Sequence, residues 1–240
     1  MITVVILSHS SRTLKLTLEN NLKIIESKDG SSTIYNNLLD EHYHSTHGAF
    51  NEAMHVFIEA GLHQKFDQKK PIRIFEMGLG TGLNAVLTAI EALNKGLDIS
   101  YQAIEAYPLE SDILDDLNYA ELWGDKGRSL FQMIHDIPWG QQARLYPGFL
   151  FQKEICEFEK FKPQEKFDLI YWDAFGPRVQ PELWEEDIFE KLYSLSNENA
   201  ILVTYSSKGS VRRAMIAAGF QVEKIPGPPG KREMLRAVKI

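Results

Sequence analysis

The chain has 240 residues, 44% hydrophobic and 25% charged, with a formal net charge of -7. This suits one globular domain of good size, or a domain plus an extension, and excludes whole-chain disorder and a uniformly basic nucleic-acid coat. A single cysteine, Cys156, excludes an internal disulfide and a multi-cysteine zinc site, and no apolar run nears the length of a membrane span.

The opening MITVVILSHSSR has neither the basic start nor the small-residue cleavage site of a signal peptide, so the cytoplasm is the expected location, with no membrane partner. From about residue 12 to 36 the sequence alternates and carries the turn chemistry Lys28-Asp29-Gly30-Ser31, which predicts short strands around a hairpin. Residues 48 to 63 place Phe50, Met54, Phe57, Ile58 and Leu62 at helical spacing. Residues 1–65 are therefore read as an N-terminal extension of hairpin strands and a helix, and 66–240 as the main domain.

After Pro71 the rhythm becomes strand (IRIFEM), glycine turn (GLGTG), helix (LNAVLTAIEALNKG) and strand (DISYQAIEA). Further strands are expected at FDLIYWD and NAILVTYS, and helices at about 182–195 and 208–218. Such alternation predicts an α/β fold with a mostly parallel sheet covered on both faces. FQVEKIP and REMLRAVKI, separated by GPPGK, predict an antiparallel hairpin at the sheet edge. Residues 110–150 contain helical stretches and two Trp-Gly pairs whose order the sequence leaves open.

Gly78, Gly80 and Gly82 lie between a strand and a helix, where glycines permit a tight turn and let backbone amides approach a ligand. Their G-x-G-x-G spacing departs from the dinucleotide fingerprint, and no P-loop Lys-Ser/Thr follows. Glu76, just before them, would set a carboxylate rather than a phosphate donor against the ligand. Glu105 ends the next strand, 23 residues beyond Gly82; an acid there either accepts hydrogen bonds from ribose hydroxyls or is simply solvated. Glu154 is a candidate for a later acidic role near an adenine.

Asp173 closes the apolar run FDLIYW, at the strand end where open α/β sheets bind ligands. It either faces such a cleft, with Phe175, Gly176 and Pro177 as a rigid lip, or caps the following helix. Facing an amine it would position it, an ordinary aspartate (pKa ~4) being a weak base for an alkylammonium (~10). His42, His44 and His47 have irregular spacing and no cysteine beside them, so pocket wall is favoured over metal. Residues 201–240 hold eight Lys or Arg against Glu223 and Glu233, a local +6. These charges, including Lys208, Arg212, Arg213, Lys231 and Arg232, either pair with nucleic-acid phosphates or are solvated.

Together the stretches DGSSTIYN, EHYHSTHGAFNEAMHVFI, FEMGLGTGLN, IEAYPLE, YWDAFGPRVQPELW, LVTYSSKGSVRRAMIAAGF and PGPPGKREML resemble the methyltransferase part of the bifunctional tRNA 5-methylaminomethyl-2-thiouridine biosynthesis protein MnmC. The resemblance spans about residue 24 to the end. It implies the class I S-adenosylmethionine-dependent methyltransferase fold, and methyl transfer from S-adenosyl-L-methionine to the exocyclic amine of 5-aminomethyl(-2-thio)uridine at the tRNA wobble position. By that resemblance Glu76, Gly78, Gly80, Thr81, Gly82, Glu105 and Glu154 would hold the cofactor, and Asp173 would sit beside the transferred methyl. Phe175, Tyr205, Lys208, Arg212, Arg213, Lys231 and Arg232 would meet the tRNA. Two departures stand out: Glu154 occupies a place where the family often has Gly-Asp, and no oxidase module follows within the 240 residues, which implies that either another route or a separate enzyme supplies the aminomethyl precursor. The competing readings are a transferase for a small amine and a non-catalytic tRNA-binding relative. The glycine spacing counts against a nicotinamide oxidoreductase.

Overall fold

The computed structural model describes residues 21–68 and 70–240. The first part of the expected hairpin, residues 12–20, lies outside the described residues. The rest of it is present: β1 (Leu22–Glu26) pairs antiparallel with β2 (Ser32–Asn36), which pairs with the two-residue β3 (Glu41–His42).

The Lys28-Asp29-Gly30-Ser31 turn does more than reverse the chain. It meets the start of α1 (Ala49–Ala53), whose first amides have no partners within the helix. Ser27 Oγ accepts from Ala49 N (3.1 Å), Ser31 Oγ from Phe50 N (3.1 Å) and Asp29 Oδ2 from Asn51 N (2.9 Å). The cap is thus supplied from about twenty residues upstream, by the hairpin turn. α1 continues as a π-helical turn, Met54–Glu59, closed by Ala60 N donating to His55 O (3.1 Å), so the regular helix expected over 48–63 is wider in its second half. Its Val56 and Phe57 are buried against the main sheet.

That sheet has eight strands in the order β10-β11-β9-β8-β4-β5-β7-β6. Five are parallel: β4 (Ile72–Met77), β5 (Ile99–Glu105), β7 (Phe149–Ile155), β8 (Phe167–Trp172) and β9 (Ser196–Thr204). At one edge β10 (Gln221–Pro226) and β11 (Glu233–Val238) form the expected antiparallel hairpin. At the other, β6 (Gln142–Tyr146) runs antiparallel to β7, which the sequence did not reveal. Between β5 and β6 the chain forms α3 (Ser111–Asp115), α4 (Tyr119–Leu122) and α5 (Gly124–Asp136). Among the described residues no helix is long and apolar enough to cross a membrane.

Side chains alternate across a strand, and here both faces are covered. On one face Leu169 and Tyr171 join Ile74, Tyr101, Phe151 and the helix α2 (Leu83–Lys95). On the other Ile170 and Trp172 join Phe75, Met77 and the helices α6 (Glu186–Ser194) and α7 (Gly209–Ala217). This explains the unbroken apolar run before Asp173. Trp172 leaves its Nε1 without a hydrogen-bond partner among the described residues, at a cost of about 1–3 kcal/mol. Removing ~200 Å² of indole from water contributes about 5 kcal/mol and wins.

Asp29 ties two elements together, and its hydrogen bonds hold its carboxyl below the usual value against the raising effect of burial. Asp29→Ala is expected to cost about 1–2 kcal/mol in urea denaturation at pH 7. A carboxylate with a depressed folded pKa contributes above its unfolded pKa, so the difference from wild type should shrink as pH falls below 4.

Candidate active site

The parallel strands end along one edge of the sheet, and the residues following β4, β5 and β8 converge there. After Met77 the chain turns through Gly78, Gly80 and Gly82, with φ of 83°, 49° and 76°. Side-chain-bearing residues rarely take these values. At Gly78 a Cβ would also stand 3.0 Å from Asp173 O, so the loop and the end of β8 approach as closely as they do because no side chain intervenes.

The loop's amides are largely committed within the protein. Gly78 N and Leu79 N donate to Ile104 O (3.0 and 3.2 Å), Gly82 N to Leu79 O (2.7 Å) and Gly80 N to Glu105 Oε2 (3.0 Å). An anion cradle needs such donors free, so the loop is poorly suited to phosphate. What the edge presents instead is acid. Asp173 Oδ2 accepts from Asn84 Nδ2 (2.8 Å), and the same nitrogen donates to Glu76 Oε1 (3.0 Å), while Glu76 Oε2 accepts from Tyr101 OH (2.9 Å).

Burial raises all three carboxyls. Asp173 is pushed up to about 7, Glu76 well above its ordinary value and further by its neighbour Asp173, and Glu105 upward despite backbone donors from Tyr107 and Gly80. A concave site lined by partly desolvated carboxylates attracts cations and hydrogen-bond donors. Glu76 is fully buried and sits behind this edge, not on its surface, contrary to the expectation that its carboxylate faces a ligand. The cause is its place on β4: it points to the same face as Ile74, into α2, where Tyr101 and Asn84 take both its oxygens.

A cleft of about 490 Å³ opens in front of the loop. Gly78, Gly80, Glu105 and Asp173 line its inner side. Phe175, Tyr205 and Lys231 line the outer side, joined by Tyr43 and His44 from the segment after β3. Tyr43 packs edge-on against Phe175, with ring centroids 5.1 Å apart, and lies over Gly80. His44 bonds Thr81 Oγ1 (2.9 Å), and burial lowers its pKa to about 4, so it is neutral. Asp173 does not cap a helix, since the next helical turn starts only at Pro181. The lip after it is fixed by Tyr205 OH donating to Ala174 O (2.8 Å) and Trp184 Nε1 to Phe175 O (2.8 Å). Arg178 reaches across to Leu39 O (3.3 Å), Asp40 O and Glu41 Oε2 (3.2 Å).

Several expected residues lie elsewhere. Thr81 is buried under the loop, and Gly82 starts α2 where a Cβ would stand 2.9 Å from His135 Nε2, so these two shape the loop from behind. Glu154 is not in the cleft. It follows the other face of β7, accepts from Gln102 (2.7 Å) and Gln152 (2.8 Å), and belongs to a separate polar hollow with Arg73 and Glu165. Lys231 pairs with the buried Glu52 (3.0 Å) and sits 4.1 Å from the Tyr205 ring centroid, while Lys208, Arg213 and Arg232 are exposed and Arg212 half-buried outside the cleft. Of the histidines, His42 and His44 wall the cleft and His47 meets Lys28 (3.2 Å) instead. Asn84, Tyr43 and Glu52 were not anticipated. Asn84 has a signal in retrospect, a polar residue among the apolar side chains that open its helix.

Residues 143–240 match a family described as S-adenosyl-L-methionine-dependent methyltransferase. The bifunctional protein MnmC of tRNA 5-methylaminomethyl-2-thiouridine biosynthesis from Pseudomonas entomophila is 29% identical over 218 residues, 83% of this chain and 32% of that protein. Its counterpart from Hydrogenovibrio crunogenus is 28% identical over 229 residues (88% and 33%), and that from Pseudomonas paraeruginosa 30% over 218 residues (80% and 31%). The chain thus spans about a third of the length of the curated relatives it matches. Among solved structures, MnmC2 from Aquifex aeolicus has a TM-score of 0.77 at 22% identity, covering 96% of this chain and 78% of that one, and shows the same fold. The chain therefore has the fold of the S-adenosyl-L-methionine-dependent methyltransferases, and its sequence is similar to the methyltransferase part of MnmC proteins.

Proposed function

We propose that the chain is a tRNA methyltransferase that moves a methyl group from S-adenosyl-L-methionine to the exocyclic amine of 5-aminomethyl(-2-thio)uridine at the wobble position. The observation that carries this reading is the desolvated Asp173 carboxylate, set at the cleft beside a glycine loop whose amides are largely used. Such a donor-poor, acid-rich edge fits a cofactor with an ammonium, two ribose hydroxyls and a sulfonium.

In this reading Glu105 receives the ribose hydroxyls, and Gly78 and Gly80 let the cofactor approach the backbone. Glu76 acts from behind, through Asn84, without touching the ligand. When bound, S-adenosylmethionine supplies a methyl on positively charged sulfur, which leaves as a neutral thioether once the amine nitrogen takes the methyl. Asp173 orients the amine and takes up its proton. With its carboxyl at about 7, the gap to an alkylammonium, ~10, narrows to about three decades, so proton acceptance joins positioning. Tyr43, Phe175 and Tyr205 offer flat apolar surface to a pyrimidine. Lys208, Arg212, Arg213 and Arg232 would meet phosphates, and Lys231 the nucleotide nearest the cleft. Methylation consumes a primary amine, so an earlier reaction must build the aminomethyl group on the tRNA first. The setting would be the cytoplasm, where tRNA is modified.

The deciding assay is labelled S-adenosylmethionine with tRNA carrying 5-aminomethyluridine, digested to nucleosides and read by mass spectrometry; methyl found only on a small amine would overturn the reading. Asp173→Asn should lower kcat about 10²- to 10³-fold. It should also stabilise the protein. A carboxyl whose folded pKa is raised from 3.8 to about 7 binds more protons folded than unfolded in that window, so wild-type stability falls as pH rises through it. The Asp173→Asn variant should therefore melt higher than wild type at pH 8 and converge with it below pH 4, as seen by calorimetry. Removing Lys208, Arg212 or Arg213 should weaken tRNA binding, lower the salt slope by about one each, and leave cofactor affinity unchanged.

A further inference from the structure

A buried acid and a half-buried one at the sheet edge share a single donor. Asn84 Nδ2 gives one hydrogen to Glu76 Oε1 (3.0 Å) and the other to Asp173 Oδ2 (2.8 Å), while its own Oδ1 is buried without a hydrogen-bond partner among the described residues. An orphaned amide oxygen costs about 1–3 kcal/mol, and the first turn of a buried helix is a poor place to spend it on packing. Leucine shares its branching but is larger, and it would leave both acids without this donor, so the value of the asparagine lies in the two hydrogens it gives.

We propose that Asn84 is a positioning residue for the transfer: by fixing Asp173 Oδ2 against the buried Glu76, it leaves the other Asp173 oxygen directed at the substrate amine. This rests on the functional reading above. The geometry around Asp173 gives Asn84 no substitute. Asp173 N is held by Met77 O (3.2 Å), which fixes the backbone but not the carboxylate's rotation. The other polar groups facing it are already engaged: Lys231 with Glu52, Tyr205 with Ala174 O, and Tyr101 with Glu76. Asn84 is also the only one of these to donate to Asp173 among the described hydrogen bonds.

Glu76 is the anchor for this arrangement. Burial raises its carboxyl well above the ordinary range and the adjacent Asp173 raises it further, so a second charge beside Asp173 is disfavoured. The amide then ties Asp173 to an acid held behind the cleft. The charged neighbours that act on Asp173 are Glu52, which raises its pKa, and Lys231, which lowers it; the Asn84 hydrogen bond also lowers it.

The test is Asn84→Leu in the full chain. The expected result is a loss in kcat of about 10- to 100-fold, the cost of a misdirected reacting group, with KM for 5-aminomethyluridine tRNA and the calorimetric affinity for S-adenosylmethionine within about threefold of wild type. The inflection of the kcat–pH profile should move upward, because Asp173 loses a donor to its charged form. A merely structural asparagine would alter melting temperature and leave that inflection in place. If Asn84→Leu does not fold, Asn84→Ala, which only removes atoms, carries the same expectation; folding is followed by calorimetry at each pH. Unchanged kcat and pH profile in a variant that binds the cofactor would overturn the inference. Absence of tRNA methylation by the wild-type protein would instead overturn the functional reading it rests on.

Discussion

The constraint on which the rest of the structure depends is the burial of negative charge at the carboxyl edge of the sheet. Glu76, Glu105 and Asp173 all lie there, and the protein brings no free cation to meet them among the described residues. The nearest, Lys231, is engaged by Glu52 and by the face of Tyr205. The acids are managed instead by raised pKa values, by the Asn84 amide and by backbone N–H groups. Removing a carboxylate from water without a counter-ion is unfavourable. An edge built this way is biased toward accepting a positively charged ligand, and that preference follows from the local dielectric and donors without appeal to any particular substrate.

The fold serves this edge by making the strands that carry the acids rigid. β8 is buried on both faces, so Asp173 projects from a strand that cannot rotate without exposing Tyr171 to one side and Trp172 to the other. β4 lies beside it in register with β5 beyond, placing the glycine loop and Glu105 alongside. The glycines' contribution is proximity: at Gly78 the loop passes so near Asp173 that a methyl group would press on its carbonyl.

The N-terminal sheet and α1 complete the cleft. Tyr43 and His44 form part of its wall, Glu52 anchors Lys231 from the β10–β11 loop, and Arg178 ties the lip to the segment between β2 and β3. Three distant parts of the chain thus hold one another around a space that no single part encloses. The helix cap supplied by Ser27, Asp29 and Ser31 fixes where α1 begins and hence where Glu52 stands.

Local pattern determined a good deal. The unbroken apolar runs had to be strands buried on both sides, the Gly-x-Gly-x-Gly turn had to link strand to helix, and Asp173 had to emerge at a ligand-binding edge, because each follows from side-chain periodicity and backbone freedom within a few residues. Tertiary structure alone decided which acids share a space. Glu154 ends a strand much as Glu105 does, yet strand pleating sends it to the opposite face, a one-residue difference in phase that no motif reveals. Glu76 lies beside the glycines in sequence but faces inward, and Asn84 reads as one more helix residue until folding sets it between two carboxyls. Protonation was equally hidden, since the pKa of Asp173 depends on water excluded by elements from both ends of the chain. Sequence spacing encodes neighbours along the chain, whereas desolvation and donor sharing are set by neighbours across it.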